Sequence, residues 1–73
     1  MVLSLPMSTD SLKGREIYIE FFRIGGSVKV TAMDTATLTE ISVQGPPSAG
    51  EEALKRNALN RLEYVMRKKK LID

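Results

Sequence analysis

Residues 16–34 read EIYIEFFRIGGSVKVTAMD, and the fold turns on them. β-branched and aromatic residues flank Gly25-Gly26, and a glycine pair supplies the positive φ angles that a type I′ hairpin turn needs. A two-residue loop pairs Ile24 with Ser27, Arg23 with Val28, Phe21 with Val30 and Ile19 with Ala32. One face of the hairpin then carries Ile17, Ile19, Phe21, Val28, Val30 and Ala32. The other carries Tyr18, Glu20, Phe22, Ile24, Lys29, Thr31 and Met33. A slip of one residue would mix the two sets, so turn and hydrophobic pattern specify the same register.

Beyond the hairpin, TLTEISVQG (residues 37–45) reads as a further strand. With Asp34–Thr37 as a four-residue loop, Met33 pairs with Leu38, Val30 with Ile41 and Val28 with Val43. Ile41 and Val43 extend the apolar face, while Glu40, Ser42 and Gln44 extend the mixed one. GPPS (residues 45–48) stops the sheet, because proline has no N–H to give to a ladder. Ser48 and Glu51 have the spacing of a capping box, with Ser48 as N-cap. The helix expected from about Ala49 to about Lys69 places Leu54, Ala58, Leu59, Leu62, Val65 and Met66 on one arc. Tyr64 is expected on the flank of that arc, half-buried with its hydroxyl in water.

The expected fold class is α+β: a three-stranded antiparallel β-meander packed against one C-terminal α-helix, β-β-β-α in two layers. Residues 15–73 form the single domain. Residues 1–14 show no period and are expected to be a disordered N-terminal tail.

The chain has 73 residues, no cysteine and no histidine. A domain of this size buries only about 60% of its unfolded surface, and single-core stability of roughly 3–5 kcal/mol is expected. Composition excludes disulfides and the usual zinc sites. It also removes the commonest catalytic base and the best nucleophile. Glu20 and Glu40 are expected to flank Thr31 on an open face, which offers no enclosure to raise a carboxylate pKa. IGGS (residues 24–27) is followed by no helix and is a turn, not a phosphate loop. Asp34, Thr35 and Thr37 are an ordinary turn cluster. No enzyme activity, cofactor, metal or small-molecule substrate is expected. The N-terminus lacks a signal-peptide pattern, and no stretch approaches the roughly 20 apolar residues of a membrane span. A cytoplasmic protein is the expectation.

Two surfaces remain as candidates. The mixed sheet face, through Tyr18, Phe22, Met33 and Leu38, is one for contact with a partner protein or for homodimerisation. The helix carries Arg56, Arg61, Arg67, Lys68, Lys69 and Lys70 away from its apolar arc. The net charge is only +2, and the positive excess lies wholly in this C-terminal segment. Those cations are candidates for weak, sequence-tolerant nucleic-acid binding. The competing reading is a solvated helix face whose charges serve solubility and the helix dipole. Glu51-Glu52, and the position of Tyr18 and Phe22 beside Glu20 and Glu40, count against nucleic acid.

The stretch from Glu16 to Lys69 resembles a family of short, uncharacterised alphaproteobacterial proteins. The shared pattern is an aromatic first strand with R-x-G, then S-V-K-V-T-A-x-D, a Thr/Glu-containing strand, a Gly-Pro break, and A-L-x-x-x-A-L-x-x-L-x-Y-V on the helix. The resemblance implies a cytoplasmic bacterial setting and brings no assigned activity or site residues. The element order is also similar to the last four elements of double-stranded-RNA-binding domains. The chain departs from that pattern in lacking a first helix within residues 1–14 and in starting its last helix with Glu51-Glu52.

Overall fold

The computed structural model describes residues 2–4 and 12–72. The strands are β1 (Val2–Ser4), β2 (Glu16–Ile24), β3 (Ser27–Asp34) and β4 (Thr39–Gly45). A 3-10 turn at Pro47–Ala49 leads into helix α1 (Glu51–Lys68). The strands form one antiparallel sheet in the order β1-β2-β3-β4. Strands β2 to β4 and α1 are the expected β-β-β-α arrangement.

The hairpin register is the one the turn dictates, from Ile24↔Ser27 to Ile19↔Ala32. The turn itself differs in type. Of the two glycines only Gly25 has a positive φ, 59°. That is the pattern of a type II′ turn, with its glycine first, and it fixes the same pairing.

Strand β4 keeps its expected faces but sits two residues further along. Val30 pairs with Val43, Val28 with Gly45 and Met33 with Glu40. The loop is therefore residues 35–38, and Asp34 closes it by pairing with Thr39. The cause is local hydrogen bonding. The Asp34 carboxylate accepts from the Thr37 backbone N–H at 2.9 Å and from the Thr37 hydroxyl at 2.7 Å. The Leu38 N–H reaches back to the Asp34 carbonyl at 2.7 Å, with Leu38 in the left-handed region at φ 60°. A shift of two preserves every inward and outward assignment, because the side-chain period of a strand is two.

Helix α1 starts later than the capping-box pattern implies. The two prolines open a 3-10 turn that takes up Ser48. Gly50, at φ 85° and ψ 150°, then occupies the N-cap position, and no side chain among the described residues caps the helix. That backbone region is essentially closed to other residues, so Gly50 sets the boundary. At the other end the Leu71 N–H bonds the Met66 carbonyl and the Lys70 N–H bonds the Arg67 carbonyl. This is a Schellman motif, with Lys70 at φ 60° in the place usually held by glycine.

The core lies between α1 and one side of the sheet. Ile17, Ile19, Val28, Val30 and Ala32 from the strands join Leu54, Ala58, Leu62 and Met66 from the helix, all of them buried. Phe21, Ile41, Val43 and Leu59 pack around them. The helix packs mainly on β4 and β3. It comes close at Gly45, where an added Cβ would lie 2.7 Å from a Leu54 methyl carbon. Leu12 is also buried in this core. The segment expected as a tail thus contributes a strand at Val2–Ser4, paired with Glu16–Tyr18, and a core residue at Leu12. Residues 1 and 5–11 of that segment lie outside the described residues.

Candidate functional site

The side of the sheet away from α1 is arranged in cross-strand rows. Tyr18, Met33 and Glu40 form one row, and Glu20, Thr31 and Ser42 the next. Phe22, Lys29 and Gln44 form a third. Glu40 is therefore not beside Thr31, where the sequence register places it; the two-residue shift brings Ser42 there instead. Thr31 and Ser42 share a hydrogen bond of 3.0 Å, and Thr31 is only 6% exposed. Lys29 lies 5.8 Å from the centre of the Phe22 ring. Hydrogen bonding to Glu20, reinforced by desolvation and by the carboxylate's charge, raises the Tyr18 phenol above its usual pKa of 10.0.

Three of the four residues expected on this face are there: Tyr18, Phe22 and Met33. Leu38 is not. It belongs to the β3–β4 loop and is 69% exposed. The loop takes Leu38 because Asp34, and not Met33, makes the last pairing of β3. Among the described residues, apolar exposure on the sheet is concentrated towards the hairpin tip, at Phe22 (44%) and Ile24 (48%).

At the other end of β3, Asp34 is fully buried among polar groups. Its Oδ2 accepts from Arg15 at 3.0 Å as well as from both Thr37 donors. The Thr37 hydroxyl donates to Asp34, so the Thr39 hydroxyl, 2.8 Å away, donates to Thr37. Oδ1 is buried with no hydrogen-bond partner among the described residues. This cluster shapes the loop and ties Arg15 to the end of β3. A cleft of ≈ 270 Å³ opens between the hairpin tip and the start of α1. Phe21, Val28, Pro47 and Leu54 line it, and Arg23 and Glu51 bring opposite charges to it. Glu20 and Glu40 are not among its lining residues.

The third surface is the solvent side of α1. Arg56, Arg61, Arg67, Lys68, Lys69 and Lys70 are all exposed there. Glu63, one turn before Arg67, lies 3.6 Å from it. Sequence reasoning misses one member of this surface. Tyr64 is 52% exposed, half-buried as expected, but sits within the basic arc and not on the flank of the apolar one. Its ring centre is 5.6 Å from the Arg61 guanidinium carbon and 5.8 Å from the Lys68 ammonium. Helical spacing carries the information, since positions three before and four after a residue are its neighbours on the same face. Contacts of this kind at exposed sites are worth about 0.5–1 kcal/mol each.

The family described as Domain of unknown function (DUF6898) matches residues 14–70. The chain belongs to this family. The match spans the hairpin, β4 and the whole of α1, so the open sheet face and the basic arc both lie inside the family domain. No curated protein and no solved structure matches the chain. Among the described residues, no helix is long and apolar enough to cross a membrane.

Proposed function

We propose that this family domain is a small, non-catalytic binding module that meets another protein surface, a second copy of itself included, through the helix-free side of its sheet. The observation that carries this reading is the pair Phe22 and Ile24, each close to half exposed on the side of the sheet that α1 leaves uncovered. Apolar groups gathered on an open face favour contact. Strand β4 adds to this as an outer strand of the sheet, because an outer edge can pair with another chain. The absence of histidine and cysteine from the sequence supports a non-catalytic role. The resemblance to alphaproteobacterial proteins supports a bacterial cytoplasmic setting.

The test is sedimentation velocity from micromolar to millimolar protein. Self-association through this face gives a concentration-dependent dimer that Phe22→Asp with Met33→Asp converts to monomer. A wild-type chain that stays monomeric throughout removes the self-association form of the proposal. A dimer that survives both substitutions removes the face.

A second reading is favoured by a separate observation, the six exposed cations of the α1 segment with an open aromatic ring among them. In this reading the helix binds nucleic acid weakly, with steep salt dependence and little sequence preference. Charge reversal at Arg56 and Arg67 then abolishes binding while circular dichroism shows the helix intact.

A further inference from the structure

We infer that the basic arc of α1 is a surface for single-stranded nucleic acid, with Tyr64 as its base-stacking element. The inference rests on the second reading above and adds the strand type and the residue that selects it.

Charge complementarity identifies a polyanion. Arg56, Arg61, Arg67, Lys68, Lys69 and Lys70 are exposed, and Glu63 is the sole acid between Ala53 and Ile72. The backbone points the same way. Lys70 occupies the left-handed position of the Schellman motif, where glycine carries no Cβ penalty. The chain keeps a cation at a position whose geometry favours glycine. The opposite end of the helix carries Glu51 and Glu52, which repel phosphates, so the polyanion is confined to the stretch from Arg56 onward.

The ring identifies what kind of polyanion. Tyr64 does not belong to the core cluster, and its ring is half open within the basic arc. Lone phosphate chains offer a ring nothing to stack on. A duplex keeps its base faces inside the stack, whereas a single strand presents them. Aromatic rings within a positive field are the usual platform for unpaired bases. Arg61 and Lys68 already stand against the ring. A base entering there takes over a ring face from one of them, and the displaced cation turns to a neighbouring phosphate. Glu20 and Glu40 deny this combination to the aromatic side chains of the open sheet face, where Glu20 shares the face of β2 with Tyr18 and Phe22 and Glu40 lies in the row of Tyr18 and Met33.

The experiment is fluorescence anisotropy of the full chain with a labelled oligouridine, a labelled RNA duplex, and unlabelled polyphosphate as competitor, each at low and moderate salt. The expected result is tighter binding of oligouridine than of duplex. Tyr64→Leu weakens oligouridine binding by about 5-fold or more, the low end for one base–aromatic stack, and Tyr64→Phe restores it. The salt slope of Tyr64→Leu equals that of the wild type, whereas Lys69→Gln lowers it by about 1. Circular dichroism checks that both Tyr64 variants are folded. Three results overturn the stacking inference and leave the electrostatic reading standing: Tyr64→Leu binds oligouridine as well as the wild type, the duplex binds as tightly as oligouridine, or polyphosphate competes as strongly as oligouridine. If no nucleic acid binds at low salt, both fall.

Discussion

The two sides of the sheet solve burial in different ways. Against α1, Ile17 and Ile19 of β2 and Val28, Val30 and Ala32 of β3 are buried in the core, and Phe21 is partly buried beside them. On the open side, among the described residues, no helix packs. Thr31, paired with Glu20 and hydrogen-bonded to Ser42, is 6% exposed, while Phe22 and Ile24 at the hairpin tip stay about half exposed. A helix laid on a sheet buries the middle of the face it covers most completely. The open side keeps its apolar exposure at the hairpin tip. Stability should therefore sit on one side and accessible chemistry on the other.

Substitutions can break or sharpen that contrast. The largest effect is expected for Leu62→Ala, in the middle of the buried helix stripe: a loss of about 2–5 kcal/mol, read as a lower urea midpoint. That approaches the whole stability of a domain this small. A Leu62→Ala protein with an unchanged midpoint would show that the helix does not hold the core side. Next comes Asp34→Ala, which strips Arg15 and Thr37 of their acceptor. Removing one partner of a buried ion pair costs about 3–5 kcal/mol, and the partial exposure of Arg15 brings the expectation to about 2–3 kcal/mol. Urea denaturation would measure this too, and a neutral result would mean the loop holds without its carboxylate.

The smallest effect belongs to the open side and is read by titration. The Tyr18 phenol is raised above its usual value, chiefly by its hydrogen bond to Glu20. Its contribution to stability is thus fully present below about pH 10 and is lost as pH rises through the folded-state value. With Tyr64→Phe, Tyr18 is the remaining tyrosine, and tyrosinate absorbance follows it directly. Adding Glu20→Ala should move that titration down towards the ordinary tyrosine value. No movement would dissociate Tyr18 from Glu20.

Much of this is legible in the sequence because two signals overlap. In the β2–β3 hairpin a two-residue glycine turn and an alternating pattern demand one register, and that register is found. For β4 only the alternation is informative. Alternation fixes a face and is blind to a shift of two, so Ile41 and Val43 face the core as expected while every partner differs. The deciding interaction, Asp34 with Thr37, is a side-chain bond within a loop and leaves no period. The same limit applies at Ser48, whose spacing to Glu51 fits a cap but whose backbone is taken by the Pro47–Ala49 turn. Strand β1 is three residues long, too short for an alternating pattern to stand out. Tyr64 is within reach of sequence reasoning, since its neighbours at helical spacing include the cations Arg61 and Lys68.

The order of the sheet, β1-β2-β3-β4, has a consequence for how the chain reaches this state. Every strand lies beside its neighbour in sequence, and the turns within β2–β4 are short. Contacts between nearby segments close small loops and favour rapid folding. The Gly25-Gly26 turn can zip β2 onto β3, and β4 can follow, before α1 arrives to cover them. Between those events the apolar side of a finished meander faces water. A meander closed before the helix docks would hold that side open to aggregation.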